Sequence, residues 1–311
     1  MLLVIALGGN AILQRNQPLE AHLQRENIRI AAESIARVAL KHQVVLTHGN
    51  GPQVGLLALM NQAYKEVQAY PLDALGAQTQ GMIGFMFEQE LRNYMPGRKV
   101  CTVSTQTIVN TDDTAFKNPD KFVGPVYTRE EAEVLSESHT DWTIRQDGNY
   151  YRRVVPSPQP KEVLELPSLK HIVGSGDITV ICGGGGGIPV TRDATGKLVG
   201  VEAVVDKDRA SAVLAEGLNA DGLILLTDVP AVETNYGQPD SKKIRSATPD
   251  AFEKFPFAAG SMGPKVESVC RFVRSGGKFA AIGALDKAAE IITRDSGTFV
   301  EAKVEGGIGY Y

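Results

Sequence analysis

The apolar run Leu2–Leu7 stops at Gly8-Gly9-Asn10, and residues 44–47 stop the same way at His48-Gly49-Asn50-Gly51. Short apolar runs bounded by turn residues read as buried strands. Alternating with amphipathic stretches, they predict a mostly parallel sheet covered by helices. Glycine tolerates positive φ and lets an anion approach backbone N–H groups with no Cβ in the way. A helix that follows adds its unpaired first-turn N–H groups. Two such turns near the start of one chain predict one anion shared between two cradles, with phosphate the leading choice.

The alternation continues along the chain. Residues 18–42 carry Leu19, Leu23, Ile28, Ala31, Ala32, Ile35 and Val38 close to helical spacing, and Pro52 suits the first turn of a second helix. A third helix is predicted over 71–94, where Gly76, Ala77, Gly81 and Gly84 permit close contact with a second subunit or within the chain. Further strands are predicted at 99–103, 178–182, Gly222–Thr227 and 278–283, and helices at 207–217 and 264–275. A short helix and strand follow. From 110 to about 160 the pattern weakens and collects turn residues, charges and the single tryptophan, Trp142. So long an interruption predicts an inserted subdomain or lid.

Composition narrows the function. A net charge of -4 and a pI near 5.8 oppose nucleic-acid binding, which calls for a basic face. Cys101, Cys182 and Cys270 are far apart and form no metal-ligand spacing, so each reads as a small buried residue. No run reaches membrane-spanning length and no basic leader precedes the first strand. A cytoplasmic protein without membrane contact is expected.

Familiar nucleotide motifs are missing. Gly196-Lys197 and Gly277-Lys278 lack the upstream glycine of a P-loop, and the glycine run 183–187 leads into Ile188-Pro189 rather than a helix. Residues 259–263 fall one short of a nucleophile elbow. No histidine or cysteine cluster has metal-ligand spacing, so no protein metal site is expected. What remains are lysines at turns: Lys207 between Asp206 and Asp208, Lys265 after Gly263-Pro264, and Lys121 in the insertion. Phosphoryl transfer needs positive charge on phosphate oxygens and in-line positioning, with little covalent work by the protein. Asp206 or Asp208 then holds a lysine or carries Mg²⁺ through water. Asp228, at a strand end, reads as a ligand contact or a helix cap. Asn10 and Asn50 read equally as turn formers, and Arg152-Arg153 as a solvated pair or an anion contact.

Taken together, Ala6-Leu7-Gly8-Gly9-Asn10-Ala11, Thr47-His48-Gly49-Asn50-Gly51-Pro52-Gln53-Val54-Gly55, the run into Ile188-Pro189, Asp206-Lys207-Asp208, and Gly260-Ser261-Met262-Gly263-Pro264-Lys265-Val266 resemble the carbamate kinases of the amino-acid kinase family. The likeness runs from residue 2 to about 300. Gly124-Pro125-Val126-Tyr127 and Arg152-Arg153-Val154-Val155-Pro156-Ser157-Pro158 make it the more discriminating, because other family branches lack that subdomain.

The resemblance implies a three-layer α/β/α sandwich with a mostly parallel central sheet. Its expected parts are a carbamate lobe at 1–203 holding the inserted lid at about 110–160, and a nucleotide lobe at 204–303. It implies ATP and carbamate giving ADP and carbamoyl phosphate with Mg²⁺, run toward ATP in arginine or allantoin breakdown, by a homodimer. Gly8, Gly9, Asn10, Gly49, Asn50 and Gly51 are implied around carbamate and the transferred group, with Lys121 reaching in from the lid. Lys207 and Lys265 are implied on the nucleotide phosphates with Asp208 organising them. Met262, Pro264 and Tyr236 are implied against the adenosine, and Asp228 is a further expected nucleotide contact. The alternatives are another small-acid kinase of this fold and a nucleotide- or carbamoyl-phosphate-binding regulator without turnover. Two departures stand out. Arg209 takes a place where an apolar residue is expected, and residues 304–311 read as an idle, disordered or vector-derived tail.

Overall fold

The apolar runs become strands of one ten-stranded sheet in the computed structural model, which describes residues 1–14, 17–140, 142–258 and 261–311, and not the side chains of Asn10 and Pro125. Nine of the strands run in the order Glu233–Thr234, Lys242–Ala247, Thr298–Val300, Phe279–Ala284, Gly222–Thr227, β1 (Leu2–Leu7), β2 (Gln43–His48), Ile178–Ile181 and β3 (Lys99–Thr102), and the tenth, Ile308–Tyr310, joins Lys242–Ala247. Every pairing from Phe279–Ala284 across to β3 is parallel, and antiparallel pairs occur at the Glu233–Thr234 side. The fold class read from the pattern therefore holds.

Among the described residues the helices are α1 (Ala21–Ala39), α2 (Gly51–Ala63), α3 (Leu72–Tyr94), α4 (Arg129–Ser138), α5 (Leu166–Gly174), α6 (Lys207–Leu218), α7 (Pro249–Phe252), α8 (Met262–Arg274) and α9 (Ala288–Ile292). Leu3, Ile5 and Leu7 of β1 face a core shared with α1, α3 and α9. Val4 and Ala6 face a second core shared with α5, α6, α7 and α8. Burial on both faces is why the strand reads as unbroken apolar sequence rather than as an alternation. Each fully buried Leu or Ile contributes about 1.5–3 kcal/mol to this sandwich. Helix α1 is shorter than the predicted 18–42, because Glu20 stays extended and the N–H of Glu20 turns back to the Pro18 carbonyl at 2.8 Å.

The weak stretch at 110–160 contains a small unit of its own. Lys121–Tyr127, Thr143–Asp147 and Tyr150–Val155 form a three-stranded antiparallel sheet with α4 against it. Thr128 caps α4 in a reciprocal box with Glu131. At its base Gln106–Val109 pairs with Pro160–Val163, and the Asp113 carboxylate accepts from the N–H groups of Ala115 and Gln159, at 2.9 Å each, across the entry and exit of the unit.

The stretch 304–311 pairs into the sheet, against the expectation of a disordered tail. Ile308–Tyr310 pairs antiparallel with Lys242–Ala247, and the Tyr311 hydroxyl donates to the Gly297 carbonyl at 2.6 Å. An open sheet edge supplies unpaired backbone groups, and the tail satisfies them. The small residues of α3 divide. A Cβ on Gly84 would lie 2.3 Å from Cγ2 of Thr102, so this glycine serves packing on β3, whereas Gly76 and Gly81 face open space.

The glycine run folds back over the end of β2. Gly183, Gly185, Gly186 and Gly187 all have positive φ. Cβ atoms at 184, 185, 186 and 187 would strike His48, Asn50, the Val205 carbonyl and Thr107 respectively. His48 is 1% exposed, donates from Nδ1 to the Gly49 carbonyl at 2.9 Å, and stacks near Phe87. Burial pushes its imidazole down to about 4, a shift opposed by the Gly49 bond.

Two outcomes follow from this packing. Gly186→Ala puts a Cβ 2.4 Å from a backbone oxygen at φ +88, so it is expected to cost about 2–4 kcal/mol in urea unfolding. Gly196→Ala, at φ +83 but in open space, carries only the backbone strain, and an equal loss in both variants would refute the close-packing role. For His48, the unfolded imidazole protonates near 6.5 and the folded one only near 4, so the unfolded chain binds more protons between. Stability is full above pH 6.5 and falls as pH drops through 4, by about 3 kcal/mol from this group. His48→Gln should flatten that part of the curve in unfolding measured from pH 7 to pH 4.

Candidate active site

The C-terminal ends of β1, β2 and Gly222–Thr227 open into one cavity of about 1100 Å³. Ligands of parallel α/β sheets sit at this end, where strand order leaves a crevice. Gly8, Gly9, Gly49, Asn50, Gly51, Lys121, Lys207, Asp208, Asp228, Tyr236, Met262, Pro264 and Lys265 all line it. Asn10 belongs to the same turn, and its side chain lies outside the described residues.

The two glycine turns meet. A Cβ on Gly49 would lie 3.4 Å from the Gly9 nitrogen and 3.5 Å from Cδ of Lys207, so the two turns and the Lys207 stem stand within van der Waals reach of one another. The sequence expectation of free N–H groups needs one correction. The Gly8 N–H is spent on the Leu226 carbonyl at 3.0 Å and the Gly49 N–H on the Leu7 carbonyl at 3.1 Å, each extending a strand ladder by one bond. The donors at the cradle are therefore the later ones, at Gly9 and in the first turn of α2 from Gly51. Asn50 stands at the N-cap of α2, and its side-chain amide donates to Thr79 Oγ1 at 2.8 Å.

Opposite the cradle, charge is concentrated on one carboxylate. Asp206 caps α6 by accepting from the N–H groups of Asp208 and Arg209 at 3.0 and 3.2 Å. That cap places Lys207 and Asp208 in the first turn. Lys207 Nζ donates to Asp208 Oδ1 at 2.6 Å, and Lys265 Nζ, from the first turn of α8, donates to Oδ2 at 2.9 Å. The Asp208 side chain is 4% exposed and each lysine 13%. Burial would raise the Asp208 carboxyl, but the two ammonium groups override it and hold it down at about 2. Burial lowers Lys207, and Asp208 more than restores it, so it stays above the ordinary lysine range. Lys265 goes the other way, lowered first by burial and then by the charge of Lys207. The two directions belong together, since one carboxylate neutralises one ammonium and leaves the second in excess. Lys121 reaches over from the inserted sheet to Asp206 at 3.4 Å. Three ammonium groups against two carboxylates make this end a receptor for a multivalent anion.

The far end of the cavity is apolar and aromatic. Phe255, Pro256, Phe257, Met262, Pro264 and Val232 line it, with Tyr236 75% exposed at the rim. Sequence reasoning had found Met262, Pro264 and Tyr236 but not the Phe255-Pro256-Phe257 wall, although an aromatic cluster just ahead of the Ser261 turn was a usable signal. Asp228 lines the cavity and its Oδ1 accepts from the Thr227 hydroxyl at 3.1 Å. Arg152 and Arg153 are not on the cavity. They pair with Asp147 and Glu202, and Arg153 lies over the Trp142 ring at 4.2 Å. Arg209 donates twice to Glu267 on α8, at 3.0 and 2.7 Å.

The amino acid kinase family model matches residues 1–283. The chain is 51% identical over 312 residues to a carbamate kinase of Haemophilus influenzae, covering 100% of both chains. It is 51% identical over 305 residues to one of Rhizobium meliloti, covering 97% of this chain and 94% of the other. A solved carbamate kinase from Giardia lamblia bound to AMP-PNP has 40% identity and a TM-score of 0.90, over 96% of this chain and 98% of that one. In sequence and in architecture alike, the chain belongs to the amino acid kinase family.

Proposed function

We infer that this protein catalyses reversible phosphoryl transfer between ATP and carbamate, giving ADP and carbamoyl phosphate. The observation that carries the reading is the bipartite cavity, with a glycine cradle facing a cluster of lysines and an apolar wall beyond them. Carbamate kinase relatives at half identity over the whole chain supply the substrate class.

The site supports the following assignment. Gly8, Gly9 and Asn10 with Gly49, Asn50 and Gly51 hold carbamate and the transferred group, using backbone donors and the α2 dipole. Lys207 and Lys265 hold the phosphate oxygens, and Asp208 fixes the spacing of the two ammonium groups. Lys121 adds charge from the inserted unit. Met262, Pro264 and Tyr236 receive the adenosine, with Asp228 at the strand end between base and phosphates. A carbamate oxygen attacks the γ-phosphorus as the bond to the ADP oxygen breaks. The lysines stabilise the negative charge spread over the transferring group and gathering on the ADP oxygen.

Among the described residues no group of three or more His, Cys, Asp or Glu gathers to cage a metal. Both Asp208 oxygens are already taken by lysines. These residues do not fit a resident metal, so Mg²⁺ belongs to the substrate, carried on the nucleotide phosphates. The excess lysine charge matches a polyphosphate whose own charge Mg²⁺ only partly cancels. The physiological direction we propose is ATP formation from carbamoyl phosphate, in arginine or allantoin breakdown in the cytoplasm. A homodimer accounts for the exposed Met60, Tyr64, Val67 and Tyr70 at the end of α2 and beyond it.

The test is ATP formation from carbamoyl phosphate, ADP and Mg²⁺, with acetylglutamate and aspartate as competing acceptors in the reverse direction. No turnover with carbamoyl phosphate would refute the function. Lys207→Ala and Lys265→Ala are each expected to lower kcat by at least about a thousandfold while near-native circular dichroism is kept. Near-normal turnover in either variant would remove its assigned role. Lys121→Ala should lower kcat and leave ADP affinity within about twofold, whereas an equal loss in ADP binding would move Lys121 to the nucleotide side.

A further inference from the structure

The two halves of the site are tied together behind the cavity wall by two buried hydroxyls. Thr47, the residue before His48 in β2, and Ser211, one turn into α6, are each 1% exposed and lie 2.7 Å apart, oxygen to oxygen. Ser211 Oγ also lies 2.6 Å from the Lys207 carbonyl oxygen, to which it donates. A serine hydroxyl has one proton. Since the carbonyl only accepts, that proton is committed to Lys207, and the Thr47 hydroxyl must donate to Ser211 Oγ. The order of donation is thus Thr47 to Ser211 to the Lys207 carbonyl.

Gly183 leaves the Thr47 side chain its place, since a Cβ at Gly183 would lie 3.1 Å from Thr47 Cγ2. In front of this relay, the Lys207 stem runs beside Gly49, where a Cβ would come into van der Waals contact with Lys207 Cδ. Neither hydroxyl lines the cavity. Their position sets where the first turn of α6 stands relative to the Gly49–Asn50 turn.

We propose that Thr47 and Ser211 are positioning residues for phosphoryl transfer, which fix the Lys207 ammonium against the Gly49 cradle through the Lys207 backbone. The inference rests on the assignment of Lys207 to the phosphate oxygens. It goes further in stating that the distance between cradle and lysine is set by a specific side-chain bond between strand and helix. A reacting geometry held by so few contacts is sensitive to small displacements, whereas nucleotide affinity, spread over the lysines and the apolar wall, is not.

Thr47→Val keeps the volume and the burial, removes the donated proton, and leaves Ser211 bonded to Lys207. It is expected to lower kcat about tenfold while ADP affinity by calorimetry stays within about twofold and the melting temperature holds. Thr47→Ser, which restores the donor, should recover most of the lost kcat. Combining Thr47→Val with Ser211→Ala should cost little more than the worse single variant, since both break the same link. Unchanged kcat in Thr47→Val overturns the inference, as does a fall in kcat that ADP affinity and melting temperature follow in step. Lys207→Ala, run alongside, separates the two failures. If it retains turnover, the reading of Lys207 is wrong. If it is inactive while Thr47→Val is fully active, only the positioning role is wrong.

Discussion

One buried carboxylate organises the charged half of the cavity. Asp208 accepts from Lys207 on its own helix and from Lys265 on α8, so the first turns of two helices far apart in sequence converge on a single side chain. A buried ion pair is a poor source of stability, because desolvating the charges offsets much of their attraction. Its value here is positional and electrostatic. Without Asp208 the two largely buried ammonium groups would repel each other. With it they stand at a fixed spacing, and the net positive charge that remains is available to an incoming phosphate.

The uncharged half depends on glycine for the opposite reason. The run at 183–187 lies over the end of β2 so closely that side chains there would displace His48, Asn50, Thr107 or the backbone at Val205. The Asn50 amide, covered by Gly185, is held by Thr79, whose hydroxyl donates in turn to the Gly76 carbonyl at 2.7 Å. The glycine cradle is therefore backed by close packing on several sides and is formed before any anion arrives. That arrangement suits catalysis by positioning, in which little reorganisation accompanies the chemical step.

The parts of this site that were legible in the sequence have local causes. Leu2–Leu7 announces a buried strand, the pattern after residue 206 announces a helix, and an interrupted pattern announces an insertion, because each is encoded within a few neighbouring residues. The fold, and the glycines and lysines that line the cavity, follow from such signals together with the family resemblance. What was not legible depends on pairs remote in sequence. Which glycine N–H groups stay free is decided by Leu7 and Leu226, whose carbonyls extend the ladders past the predicted strand ends. The Thr47–Ser211 bond joins residues separated by 164 positions. The edge strand at Ile308–Tyr310 was missed because a short Gly-Tyr sequence becomes a strand only when an unpaired edge is waiting for it.

The three lysines are not equivalent in how they are held. Lys207 and Lys265 are 13% exposed and bond a buried carboxylate at 2.6 and 2.9 Å. Lys121 is 46% exposed, and its contact with Asp206 is longer, at 3.4 Å. With the ammonium half exposed and the contact long, the pair holds Lys121 less firmly than Asp208 holds the other two lysines. The strand that carries it packs on α2, where the Gly124 backbone would stand 3.6 Å from a Cβ at Gly55, and the same inserted sheet is fastened through Arg153 to Glu202. Glu202 also accepts the first-turn N–H of α3 at Leu72, at 2.7 Å. The inserted unit is thus anchored to the body at its flank while its charged tip over the cavity is held weakly. Two charges are built into the sandwich and the third is carried by the insertion, an arrangement that suits the proposed site, where a ligand would enter and leave past the insertion.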